Sequence, residues 1–292
     1  MKGAKYFFCK GIPLQLLFSK AARSRGVNGN LKYFLGRFYF IRRVRFFIIR
    51  FFSKGILVFD SQNDQLSDGI ELNDTPLAIL NEIKRNSFSQ KVRLKQDILS
   101  KLIALAGTSD TISHDRRRMH ISIEDAISYN KKNPKNPFLI LNHKSTEIDK
   151  LINQIASSSK LISIANNYLG GITSMDVRLQ SSLPCKASVD YREYNFQTVR
   201  YHYDVGGYSF LYLFFYLSDC DSLSGAHQLI PGSHRRKSLK TLFSSARQSD
   251  DLVNAYYGKD SSFTVEGESG TGFFEDTSCI HRALAPIQSK RL

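Results

Sequence analysis

The apolar positions of this chain change their period along its length. After Thr75-Pro76, a cap residue followed by proline, Leu77, Ile79, Leu80 and Ile83 recur at helical spacing and predict a short helix. Val92, Leu94, Ile98, Leu99, Leu102, Ile103 and Leu105 predict a second helix over 91–106, stopped by Gly107. Ser122 to Ala126 reads as a helix start, Asn133 to Pro137 as a turn, and Phe138 to Leu141 as a strand or a helix entry. Ile148, Leu151, Ile152 and Ile155 after Thr146 predict another helix, as does the run Leu161 to Leu169, closed by Gly170-Gly171. From about Pro184 the period shortens. Strands are predicted near 185–190, 196–203, 208–217, 226–230, 271–275 and 279–283, with one more beginning near 288. Tyr208 to Leu217 is almost wholly apolar, which predicts burial on both faces. Short strands at this spacing suggest a sandwich or jelly roll.

This pattern divides the 292 residues into a segment 1–60, a helical region 61–137, and a part 138–292 that is β-rich after its first helices. The polar, acidic stretch 60–75 reads as a loop or linker. There is no internal repeat. The four cysteines, Cys9, Cys185, Cys220 and Cys279, form no Cys-x-x-Cys pair and read as free thiols of a reducing, cytoplasmic compartment.

Charge adds one feature. Of the net +15, residues 1–60 hold 13 Lys/Arg against the single acid Asp60, or +12, and the other 232 residues hold 28 against 25, or +3. Within 31–59, arginines interleave with Phe34, Phe38, Phe40, Phe46, Phe47, Phe51 and Phe52. Arginine recurs too often for a membrane span of about 20 apolar residues, and the start of the chain is a poor match to a secretory signal. The plainest reading has the aromatics covering the main domain and the arginines facing water. The competing readings are peripheral contact of 31–59 with an anionic membrane surface and the holding of an acidic substrate. Nucleic acid is the least favoured partner.

Candidate chemistry centres on Arg200-Tyr201-His202-Tyr203-Asp204. An extended strand points alternate side chains to one face, so His202 and Asp204 aim an imidazole and a carboxylate together. With His281 from a distant strand they complete two histidines and one carboxylate, the set that holds non-heme Fe(II) on one side. Alternation also turns Arg200 inward as a candidate contact, while Arg282 faces away. His234, after a Pro-Gly turn, reads as loop-shaping. His227 reads as structural or at a pocket rim, and His143 as a helix entry. The run His114 to His120 reads as a solvated basic loop.

The ordered set His202-x-Asp204, an apolar strand, Leu217-Ser-Asp219, Gly225-Ala226, Ile230-Pro-Gly-Ser-His234, Gly270-x-Gly272, His281-Arg282 and Arg291 resembles the phytanoyl-CoA dioxygenase (PhyH) family over roughly 138–292. The resemblance implies an α+β chain with a double-stranded β-helix, a jelly-roll or cupin-like core flanked by helices from the N-terminal half. It implies Fe(II), 2-oxoglutarate and O2 as cofactors, with His202, Asp204 and His281 as metal-holding catalytic residues. Arg291 would grip the distal carboxylate of 2-oxoglutarate, with Lys290 as runner-up. The implied reaction is hydroxylation of an unactivated C–H bond in a small organic or lipid-like molecule, releasing succinate and CO2. Ala283 stands where a hydroxyl residue is common. The chain end at Leu292 predicts a last strand prone to fray. These two features support the alternative, an inactive β-helix that binds or scaffolds.

Overall fold

The computed structural model describes residues 34–52, 69–171, 175–208, 210–288 and 290–292. Cys9 and the stretch 60–68 lie outside the described residues. A turn at Phe34–Arg37 leads into α1 (Tyr39–Phe52). β1 (Ile70–Leu72) follows, so the end of the expected acidic loop is a strand, too short to show its alternation in sequence. α2 (Pro76–Asn86) begins as predicted: the Thr75 hydroxyl accepts from the Ala78 N–H at 3.2 Å.

The helix expected over 91–106 is two elements. Phe88–Leu94 is strand β2, and α3 runs from Gln96 to Thr108, through Gly107. Val92 and Leu94 are two apart, the strand period, and both are buried; the longer helical run after them hides that signal. β3 (Asp110–Ser113), α4 (Ile123–Lys132) and β4 (Ile140–Lys144) come next, so His143 lies on a strand rather than at a helix entry. α5 (Thr146–Ala156), α6 (Ser159–Leu169) and β5 (Gln180–Ser182) complete the first half. Gly170 ends α6 in the left-handed region at φ 81°, and a Cβ there would lie 3.1 Å from the Phe46 ring of α1. Gly170→Ala is therefore expected to lower the unfolding free energy by ~1–2 kcal/mol, read as a shifted urea midpoint.

Three predicted strands do not form among the described residues; the one expected to begin near 288 is only an isolated bridge between Arg291 and Ser182. Ser188 caps the short helix α7 (Val189–Tyr194), its hydroxyl accepting from Tyr191 N–H at 3.2 Å, which displaces the strand near 185–190. The stretch 196–203 is extended only at its end, where His202 makes isolated bridges to His281 and Arg247. β6 (Tyr212–Phe215) is shorter than 208–217 and half-buried at every position, because it is an edge strand; the buried residues are Tyr216 and Leu217 beyond it. β7 (His227–Leu229), α8 (Leu239–Phe243), α9 (Asp250–Tyr257), β8 (Phe263–Val265), β9 (Thr271–Glu275) and β10 (His281–Ala283) follow.

The strands form three antiparallel sheets, ordered β1-β2-β9-β6, β10-β7-β8 and β3-β4-β5. β9 lies inside the first sheet and is buried throughout. Its Phe274 packs with Ile79, Ile83, Leu99 and Ile164 on the helical side. Phe273 packs with Leu229, Val265 and Ala226 on the side of the second sheet. A Cβ at Gly272 would collide with the ring of its cross-strand partner Phe215, so this position admits only glycine. The helices and the second sheet thus cover opposite faces of the first, and the segment leading to His281 leaves β9 between them.

Candidate metal centre

His202 and His281 exchange main-chain hydrogen bonds, His202 N–H to His281 carbonyl at 2.9 Å and the reverse at 2.8 Å. Such a pair sets two side chains side by side on one face, and the ring centroids are 4.2 Å apart. Asp204, two residues on, shares that face. Its N–H donates to the Thr277 carbonyl at 2.7 Å, and its Oδ1 stands 3.9 Å from His202 Nε2. One ligand atom from each of His202, Asp204 and His281 falls within 4.8 Å of the other two. The intervening Tyr201 and Tyr203 point the other way, into a cluster with Ile230, Val253 and Ile280.

The tautomers suit a metal. His202 Nδ1 lies 3.0 Å from the Arg200 carbonyl, and His281 Nδ1 lies 3.0 Å from the Cys279 carbonyl. A carbonyl only accepts, so each Nδ1 carries the proton and each Nε2 keeps its lone pair. Burial pushes the His202 pKa well below its usual value, and the adjacent His281 adds to this, so the ring is held neutral. Burial, then the Asp204 carboxylate, raise the Tyr212 pKa. The donor set of two imidazoles and one partly exposed carboxylate fits Fe(II).

The loop Ile230-Pro-Gly-Ser-His234 supports the strand carrying His281. Ile230 N–H donates to Ile280 carbonyl at 2.8 Å, and Ile280 N–H donates to Ser233 Oγ at 2.7 Å. His234, expected to shape this loop, is buried with Nε2 3.2 Å from the Lys84 carbonyl.

Glu275 was not singled out from sequence, and His227 is nearer the centre than a rim residue. Glu275 is fully buried, with Oε2 2.7 Å from His227 Nε2 and Oε1 3.9 Å from His281 Nδ1. The approach to His227 is short but off the hydrogen-bond direction, since neither atom finds a hydrogen-bond partner. The Cys279 thiol donates to Glu275 Oε1 at 3.1 Å. Burial would raise the Glu275 pKa; the facing imidazoles of His227 and His281, with this thiol, lower it on balance. Ligand atoms of His227, Glu275 and His281 also lie within 4.8 Å of one another. This second group meets His281 on the Nδ1 side, which the Cys279 carbonyl already engages. The usable lone pair therefore faces His202 and Asp204. The available signal for Glu275 was a lone acid closing the buried run Thr271-Gly-Phe-Phe.

Arg291 bonds through its guanidinium to the Gly225 carbonyl and, at 3.4 Å, to Ser182 Oγ; it is not one of the three clustered residues. Lys290 is exposed. The chain end is not frayed: Arg291 exchanges main-chain bonds with Ser182 at 3.0 and 2.8 Å, and Leu217 N–H donates to Leu292 carbonyl at 2.7 Å. Arg200 turns outward, pairing with Asp190 at 2.6 Å, because the strand face it would share begins only at His202. Arg282 faces away as expected, bonding Asp250 at 2.9 Å and Gln228 at 2.8 Å. His143 is fixed by Ser109 and Ser181, and burial lowers its pKa to about 4. In the run 114–120, Asp115 is buried against Arg117 rather than solvated. Cys185, Cys220 and Cys279 are free thiols.

The chain matches no protein-family model and no curated protein. Similar solved structures include EctD from S. alaskensis with 2-oxoglutarate and 5-hydroxyectoine, at 16% identity and TM-score 0.49, covering 78% of this chain and 82% of that one. AviO1 from Streptomyces viridochromogenes Tue57 is similar at 16% identity and TM-score 0.45, over 76% and 92%. The non-heme alpha ketoglutarate dependent epimerase SnoN from nogalamycin biosynthesis is similar at 14% identity and TM-score 0.47, over 74% and 79%.

Proposed function

We propose that this chain is an Fe(II)- and 2-oxoglutarate-dependent oxygenase of PhyH type, built on a double-stranded β-helix. The observation that carries the reading is the convergence of His202, Asp204 and His281 with both Nε2 lone pairs left free. These three residues would hold the ion from one side. When bound, ferrous iron together with 2-oxoglutarate and O2 supplies the oxidising power that no side chain has.

The chain's own part is to bind, orient and exclude water. The Arg200 and Cys279 carbonyls fix the two imidazole planes. The Thr277 carbonyl fixes the main chain under Asp204. Arg291 would take the distal carboxylate of 2-oxoglutarate, its planar fork matching two oxygens at once. Its main chain is held on both sides, so the guanidinium starts from a fixed base. The substrate in this reading is a small organic or lipid-like molecule with an unactivated C–H bond, and the products include succinate and CO2.

The test is to add Fe(II) and 2-oxoglutarate to the full chain without oxygen. A visible charge-transfer band is expected, followed by succinate release once O2 is admitted. Protein that gives neither is a scaffold, the reading that Ala283 favours. Arg291→Lys keeps the charge and loses the fork. It is expected to weaken 2-oxoglutarate binding by about tenfold, the value of one lost charge-assisted hydrogen bond, with iron binding retained.

A further inference from the structure

Helix α1 is attached to the domain by residues that a surface helix would turn outward. Arg37 and Arg42 are each 6% exposed. Arg37 donates to the Leu242 carbonyl at 3.0 Å and the Ser244 carbonyl at 2.6 Å. Arg42 donates to the Tyr208 carbonyl at 2.9 Å, to Ser278 Oγ and to Asp276 at 2.8 Å. Phe46, on the same side, is buried. Solvent instead meets Phe40, Val44, Phe47, Ile48 and Phe51, which are 75%, 40%, 58%, 52% and 81% exposed. This partly inverts the expectation that the aromatics cover the domain while the arginines face water: Phe46 covers it, but Arg37 and Arg42 are buried with it. The inversion has a cause: main-chain carbonyls and a buried carboxylate await the guanidinium groups on the domain surface, and only donors satisfy them.

At 3.6 residues per turn the five exposed apolar positions fall in one stripe about 100° wide. Arg43 and Arg45 border it, one on each side. The helix has no acidic residue in its sequence YFIRRVRFFIIRFF. Residues 1–33 add seven Lys/Arg and no acid. No described helix is long and apolar enough to cross a membrane.

We propose that α1 lies in the plane of an anionic bilayer surface, with Phe40, Val44, Phe47, Ile48 and Phe51 among the acyl chains and the flanking arginines at the headgroups. An apolar face bordered by cations is the form such helices take, and Arg43 and Arg45, with the seven Lys/Arg of residues 1–33, are drawn to anionic lipid. A second copy of the chain is a poor occupant, because two like-charged segments would be forced together. Nucleic acid is a poorer one than a bilayer: Phe40, Phe47 and Phe51 can stack on bases, but Val44 and Ile48 gain only from acyl chains.

The experiment is co-sedimentation of the full-length chain with vesicles of phosphatidylcholine alone and of equimolar phosphatidylcholine and phosphatidylserine. Binding to the mixed vesicles is expected, falling with added salt, with little on the neutral ones. The double variant Phe40→Glu/Ile48→Glu should lose at least about tenfold in partitioning, since burial of each apolar side chain in lipid is lost. Its thermal midpoint should equal that of the wild type, because both side chains face solvent. Four results would overturn the proposal. These are equal sedimentation of the variant, preference for duplex DNA or RNA over vesicles, a dimer that the variant dissociates, and a lowered midpoint, which would mean the stripe is covered by the chain itself.

Discussion

Asp204→Asn is expected to abolish the oxygen-free Fe(II)–2-oxoglutarate band and succinate release while leaving the thermal midpoint unchanged. The amide keeps the shape of the side chain and removes its charge. Two neutral imidazoles remain, with no anionic ligand to complete the set. The fold should not notice, because the Asp204 side chain is 36% exposed and the hydrogen bond that fixes this position comes from its main-chain N–H to Thr277. Glu275→Gln is the informative comparison. Glu275 lies behind His281, on the Nδ1 side, so its loss is expected to cost only the roughly 10–100-fold in metal affinity typical of an outer-shell change. Isothermal titration of Fe(II) under nitrogen separates the two. If Asp204→Asn binds iron as the wild type does and Glu275→Gln does not, the ion belongs to the His227–Glu275–His281 group and the proposed centre is wrong.

The contrast between those carboxylates shows what the sequence makes legible. His202 and Asp204 declare themselves because a two-residue spacing on extended chain needs no tertiary knowledge to predict a shared face. His281 follows from the ordered motifs, and the structure gives the motifs physical reasons. Gly272 clears the Phe215 ring, Gly270 turns at φ 88°, and Ser233 carries the N–H of Ile280. Glu275 is hidden because its role depends on β9 being covered on both sides, by helices and by the second sheet, which no local pattern reveals. The helix boundary at Lys95 is hidden for a different reason. Val92 and Leu94 satisfy strand and helix periods at once, and β2 exists because β9 is there to pair with it. The orientation of α1 is the least legible feature. Its Arg42 is inward because acceptors separated by some 160 to 240 positions in sequence, from Tyr208 to Ser278, happen to face it.

Those acceptors set the second large expectation. Arg42→Met is expected to destabilise the protein by ~3–5 kcal/mol, the usual cost of leaving one partner of a buried ion pair alone. The stranded group would be Asp276, fully buried and held by Arg42 Nη2 at 2.8 Å, by the Tyr168 hydroxyl and by Ser278 N–H at 3.0 Å. Burial would raise the Asp276 pKa; Arg42, with His234 and these hydrogen bonds, outweighs it and holds the carboxyl well below its ordinary 3.8. A carboxyl with a depressed folded pKa stabilises the native state above its unfolded pKa and loses that contribution as the pH falls below it. His234 and His143, each lowered by burial from 6.5 to about 4, act earlier, between those two values. The unfolding free energy of the wild type should therefore fall over two pH ranges, the second below pH 3.8. Asp276→Asn should shrink that second loss, which Glu275 and Asp115 share, and, at neutral pH, destabilise by stranding Arg42. The double variant Arg42→Met/Asp276→Asn should be more stable than the two single losses added together, because neither buried charge then remains. Urea titrations at neutral and acid pH read all of this. Strictly additive losses would show that the pair is not coupled.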